Sequence, residues 1–169
     1  VYRPGELLET VPGLIVTQHS GEGKANQYFL RGFNLDHGTD LRITVDGMLV
    51  NQRSHGHGQG WADTNFIIPE LMGNLQYLKG PYYANQGDFS SAGAVSMSYV
   101  DKLPTDIASY GLGQQGFMRG LVAKSHEVGK GNVLYAVELL TKDGPWVKHE
   151  DFKKFNAVLR YSQDSGPTK

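Results

Sequence analysis

Leu30-Arg31-Gly32-Phe33, Val45-Asp46-Gly47, Ile68-Pro69-Glu70 and Leu78-Lys79-Gly80-Pro81 punctuate the first hundred residues, and their reading decides the fold. Each joins a short apolar run to residues that turn the chain or open a helix, the texture of a small sheet with brief strands. The clearest strand lies over 41–50, where Leu41, Ile43 and Val45 alternate with Arg42, Thr44 and Asp46 before Asp46-Gly47 turns or bulges it. Outward from there, strands are predicted over 14–19 and 28–33, and a short helix over 4–10, opened by Pro4 and stopped by Val11-Pro12-Gly13. Residues 51–65 read as a long polar loop carrying Gly56, Gly58 and Gly60, a length that hints at function. The 66–75 stretch fits helix or strand; Pro69-Glu70 favours a helix start. Strands follow over 76–79 and 93–100, the latter setting Ala94, Ser96 and Ser98 against Val95, Met97 and Tyr99.

The texture changes after Lys102-Leu103-Pro104. Longer strand-like segments follow, parted by Val128-Gly129-Lys130-Gly131-Asn132 and by Gly144-Pro145. Phe155, Ala157, Leu159 and Tyr161 share one face of the last segment, and Asn156, Val158, Arg160 and Ser162 the other. In the segment before it, Val133, Tyr135, Val137 and Leu139 oppose Ala136, Glu138 and Lys142. A barrel wall with lipid outside and water inside has this alternation, and so does a soluble antiparallel sheet.

Composition narrows the classes. In 169 residues, 16 Lys and Arg stand against 17 Asp and Glu, a formal charge of −1, with no basic stripe for nucleic acid. No cysteine is present, which removes disulfides, thiolate metal sites and cysteine nucleophiles. The 22 glycines are roughly twice the usual share of about 7%, pointing to turns and close backbone approaches. No window reaches the roughly 20 apolar residues of a spanning helix, so any membrane crossing is by strands. The start at Val1, without an apolar leader, reads as processed or trimmed.

Taken in order, Leu7-Leu8 with Val11-Pro12-Gly13-Leu14, then Leu30-Arg31-Gly32-Phe33, Val45-Asp46-Gly47, Ile68-Pro69-Glu70, Leu78-Lys79-Gly80-Pro81, Gly87 and Ala92-Gly93-Ala94-Val95 resemble the plug of TonB-dependent outer-membrane receptors. The resemblance covers residues 1 to about 104. It implies an α+β plug domain over 1–104, a small mixed sheet with short helices, followed over 105–169 by the first antiparallel strands of a partial transmembrane β-barrel. The family's wall has about 22 strands, and at about ten residues each these need some 220 residues. The sequence is therefore expected to hold only part of that wall. By the same resemblance, Arg31 and Lys79 pair with carboxylates or bridge to the wall; read alone, each is an ordinary solvated charge. Gly73-Asn74-Leu75-Gln76 departs from the acidic and basic run common there, and Ala94 replaces a glycine. The box that binds the inner-membrane TonB complex is expected upstream of the residues in hand.

The resemblance also raises two loops to a ligand-facing apex. One holds Asn34, Asp36, His37 and Asp40; the other runs Ser54-His55-Gly56-His57-Gly58-Gln59-Gly60-Trp61. The expected ligand-binding set is Arg31, Asp36, His37, Ser54, His55, His57, Gln59, Trp61 and Glu70. Neutral imidazole with carboxylate suits zinc, nickel or copper, so His37, His55 and His57 are candidate ligands for a transition-metal ion or metal chelate arriving as substrate. His-Gly-His is also a common polar turn, and hydrogen bonding to another ligand stays open. Trp61, Tyr82, Tyr83 and Phe89 read as core aromatics. Asp36, Asp40, Asp46, Asp63, Glu70 and Asp88 are scattered without a catalytic signature. The function read here is import of a scarce substrate, a metal chelate such as a siderophore or a metal ion, across the outer membrane, with no enzyme activity. Outer-membrane lipid and the TonB complex are its partners. A soluble β-rich ligand-binding module without a transport role is the alternative, and a carboxylate hydrolase the enzymatic rival.

Overall fold

A computed structural model describes residues 3–18, 21–35, 38–55 and 58–163, with only the backbone of Gln59. The chain divides into two compact units, Val1–Tyr99 and Val100–Lys169.

The first unit opens with a 3-10 helix, Pro4–Thr10, which Pro4 starts with its preset φ. Three strands follow, β1 (Leu14–Thr17), β2 (Gln27–Leu30) and β3 (Phe33–Asn34), forming an antiparallel sheet in that order. The single strand expected over 28–33 is broken at Arg31 (φ 52°) and Gly32 (φ 83°), which fold it into a two-residue turn. Asp46 (φ 49°) and Gly47 (φ 79°) do the same between β4 (Leu41–Val45) and β5 (Met48–Leu49). Positive φ at both central residues matches the right-handed twist of the flanking strands, and Asp-Gly adopts it readily.

β4 is the centre of a mixed sheet ordered β5-β4-β9-β8, where β8 is Met72–Lys79 and β9 is Gly93–Tyr99. β4 and β9 run parallel, Leu41 beside Gly93 and Val45 beside Met97, while β8 is antiparallel to β9. The helix expected over 66–75 is confined to one 3-10 turn at Pro69–Leu71. From Met72 the chain pairs with β9 instead, with a register shift at Gly73, because Gly73 and Asn74 are poor helix formers. The loop expected over 51–65 contains a hairpin, β6 (Gln52–His55) and β7 (Gly58–Trp61).

Leu8, Leu14, Tyr28, Leu41, Ile43, Val45 and Val95 share one buried cluster, which joins the helix to both sheets. Tyr28 is fully buried, and its hydroxyl donates to the Ala62 carbonyl at 2.7 Å. Burial first of all holds this phenol protonated, far above its usual range. Tyr28→Phe leaves that buried carbonyl without its donor and should cost about 1 kcal/mol, against roughly 3–5 kcal/mol for Tyr28→Ala, in denaturant unfolding of the folded protein.

The second unit is a four-stranded antiparallel meander: β10 (Ile107–Leu112), β11 (Met118–Val128), β12 (Gly131–Lys142) and β13 (Phe152–Gln163). Its faces alternate as the sequence predicts. Phe155, Leu159 and Tyr161 are exposed, as are Val137 and Leu139. The register sets Phe155 beside Leu139 and Leu159 beside Tyr135. The opposite face is mixed, with buried Leu121, Leu134, Ala136 and Leu140 around Glu138. Glu138 is only 1% exposed, and it accepts from Arg119 Nε (2.6 Å) and Asn156 Nδ2 (2.8 Å) and pairs with Lys154 Nζ (3.0 Å).

A two-residue turn, Gly129-Lys130, joins β11 to β12, with Gly129 at φ 62°. The other end carries 113–117 and the longer 143–151. There Asp143 N–H donates to the Gln115 carbonyl (2.8 Å), and Trp146 Nε1 to Glu150 Oε1 (2.6 Å). The lead-in to β10 is tied to its own sheet: Arg160 donates to Asp101 at 2.8 Å, Lys102 pairs with Glu127 at 2.8 Å, and Leu103 N–H donates to Ser125 Oγ at 2.8 Å. The hydrogen bond from Arg160 holds the Asp101 carboxyl below its ordinary range. The tie is thus complete above the ordinary carboxylate range and lost as pH falls through the lowered value. Protection of the Leu103 amide, relative to its intrinsic exchange at each pH, should fall on acidification in the native protein and change little over the same range in Asp101→Asn.

Candidate functional site

Strand direction gathers the loops at one end of the central sheet. Leu41 opens β4 beside Gly93, which opens β9, and Lys79 closes β8 opposite Gly93. The segments leading into β4, and those between β8 and β9, therefore meet at this end. β5 runs antiparallel to β4 and returns the chain there, so the β6–β7 hairpin rises from the same place.

The two expected apical loops are thus brought together, and a third joins them. Residues 80–92 fold back onto the first loop: Ala92 N–H donates to the Asp40 carbonyl at 2.8 Å, and Ser91 Oγ donates to the Asp40 carboxylate. They also reach the hairpin, since Arg53 pairs with Asp88 at 3.0 Å. Asp88, Ser91 and Arg53 were not among the expected site residues. Their sequence context is only turn-rich, and the contacts span 35 and 51 positions.

Ser54 is exposed on β6, and His55 beside it is half-buried, its ring edge-on to Trp61 with 4.6 Å between centroids. Arg31 lies apart from the hairpin, in the β2–β3 turn. It borders a cavity of about 450 Å³ that Phe33, Asp40, Lys79 and Ser91 also line. Lys79 Nζ lies 5.3 Å from the centre of the Tyr77 ring. Glu70 sits in the Pro69–Leu71 turn before Met72, which pairs with Tyr99 at the far end of the sheet, so it is not brought to the loops. Asp36, His37 and His57 lie outside the described residues, as does the side chain of Gln59. Among the described residues, no three His, Asp or Glu side chains converge on one point. The aromatic expectation is corrected in part: Tyr82 is 83% exposed and Tyr83 41%, both on the 80–92 loop, while Trp61 and Phe89 are half-buried.

The base of the hairpin is locked by buried polar groups. Asn26 Oδ1 accepts from Thr64 Oγ1 at 2.6 Å and from Thr64 N–H at 3.4 Å, and both residues are buried. Asn26→Ala removes both bonds to buried Thr64 and should cost about 1–3 kcal/mol of unfolding free energy. Arg53→Ala, which removes an exposed pair, should leave stability almost unchanged in the same denaturant titration.

Residues 1–94 match the family described as TonB-dependent Receptor Plug Domain. The FrpB iron transporter from Neisseria meningitidis, in its apoprotein form, superposes with a TM-score of 0.67 at 16% identity, over 97% of this chain and 27% of that one. The copper transporter OprC gives 0.63 at 22% identity, over 94% of this chain and 25% of its own. At such identities the likeness is one of fold, and the chain spans about a quarter of either neighbour. Since the family match runs over more than half of its 169 residues, the chain belongs to the TonB-dependent receptors and carries their plug domain.

Proposed function

We propose that this chain forms the plug and the first wall strands of an outer-membrane importer whose substrate is a metal chelate, such as a siderophore, or a metal ion. The observation that carries the proposal is the meeting of three loops at one end of the central sheet, with Ser54, His55 and Trp61 on the hairpin. Transport of iron and of copper, stated of the two structural neighbours, supports a metal-bearing substrate. His37, His55 and His57, as neutral imidazoles, would serve as its nitrogen ligands.

In this scheme residues 1–104 are the plug and 105–169 begin the wall. β12 and β13 have 12 residues each. At about 3.4 Å per residue and a tilt near 40°, such strands rise about 30 Å, enough to cross the hydrocarbon core. The exposed Phe155, Leu159 and Tyr161 row supplies the lipid-facing side, and Lys153 and Gln163 end it. Outer-membrane lipid is then one partner. The TonB complex of the inner membrane is the other, pulling on a segment before residue 1 to open the path. Arg31 and Lys79 border one cavity with Asp40 and Ser91.

Calorimetry on the full-length receptor in detergent, with copper(II) and with ferric citrate as probes, tests the metal reading. Changing His55 and His57 together to alanine should weaken binding of one of them by about tenfold or more. Unchanged binding of both would remove the histidines from substrate recognition.

A further inference from the structure

Asn51 stands where the chain leaves the central sheet, and it is only 6% exposed. Its side-chain amide acts there as an added peptide group. Oδ1 accepts from Ile43 N–H at 2.6 Å, and Nδ2 donates to the Leu41 carbonyl at 2.8 Å, both on β4. These bonds follow directly on the one from Val50 N–H to the Ile43 carbonyl at 2.9 Å. The side chain thus extends the β4–β5 ladder past the point where the main chain diverges. Its remaining N–H donates to the Gly38 carbonyl at 2.6 Å, in the first loop. All the hydrogen bonds that the two amide N–H groups can make, and one to the oxygen, are used in holding backbone.

Packing follows the same line. Gly38 lies so close to Ala62 that a Cβ there would overlap the alanine methyl, and Gly60 lies equally close to the Thr39 methyl. The first loop and the root of the hairpin therefore touch twice as well as sharing Asn51. Neither contact is available to a chain with larger residues at positions 38 and 60.

We infer that Asn51 is a positioning residue: it holds the first loop and the β6–β7 hairpin as one body, and so sets the separation at which the two present their side chains. Its relevance to substrate rests on the proposed ligand-facing role of these loops, but the bracket itself is read without any ligand. The Asn51 side chain bonds to backbone groups of its partners, so its removal changes placement and no presented group.

The sequence has no cysteine, and spin labels placed at Asn34→Cys and Ser54→Cys, both exposed, in the full-length receptor report the loop separation by pulsed electron paramagnetic resonance. With Asn51 in place, one narrow distance distribution is expected. Asn51→Ala should broaden it about twofold, since the loop keeps its chain but loses its tether. Asn51→Asp keeps the volume and the acceptor for Ile43, yet turns an oxygen toward two carbonyls; it should broaden the distribution too, which guards against a folding defect peculiar to alanine. A residue that merely fills the core would lower the unfolding midpoint and leave the distribution narrow. A narrow distribution in both variants overturns the inference. The copper(II) and ferric citrate titrations address the ligand role on their own, so the two fail separately.

Discussion

Parallel pairing of β4 with β9 is the constraint on which the first unit depends. Parallel neighbours cannot be joined by a tight turn, so the chain between them must cross over from one end of the sheet to the other. Residues 46–92 make that crossover, and they use it to build β5, the β6–β7 hairpin and β8 on the way. Because β4 and β9 begin at the same end, the segment entering each must arrive there. Ala92 N–H bonded to the Asp40 carbonyl is the direct sign, one entrance tied to the other. The meeting of the loops is thus a product of strand direction, and side-chain ties such as those of Asn51 and Asp40 then hold them at close range.

That dependence explains what could be read from the sequence. Asp46-Gly47 was visible as a turn, since a backbone that bends this sharply selects a small set of residues, whereas Arg31-Gly32 stood inside an expected strand. The alternation of Phe155, Ala157, Leu159 and Tyr161 was visible because each successive side chain changes face. The β6–β7 hairpin was not. Gln52, Arg53, Ser54 and Gln59 carry no apolar alternation, and the strand pairing there depends on anchors at Tyr28 and Asn51 that a local window does not contain. The helix expected over 66–75 failed for a related reason. Ile67, Ile68 and Leu71 are all buried, as a helical face would be, but tertiary pairing with β9 claims the residues from Met72 onward. Of the candidate site, Ser54, His55 and Trp61 were legible as one segment. Asp88 and Ser91 were not, because only the fold makes them neighbours of Arg53 and Asp40.

The second unit obeys a local rule instead of a long-range one. Each strand pairs with the next in sequence, so its order is dictated by turns alone. Its polar anchor is Glu138, with Arg119, Lys154 and Asn156 contributed by the strands on either side. A buried carboxylate so surrounded costs much if a partner is removed, and shifting any strand by one residue would send it to the opposite face. The cluster therefore selects the observed register among the alternatives that a repetitive strand pattern would allow.

The unequal connections of that meander have an evolutionary corollary. Gly129-Lys130 has no residue to spare, so a single inserted amino acid would have to slip β12 against β11 or bulge it. Residues 143–151, closed by their own hydrogen bonds, can lengthen or diverge without disturbing either strand. Diversification within the lineage should then be lopsided, with one rim of the sheet drifting in length and composition while the other stays nearly invariant.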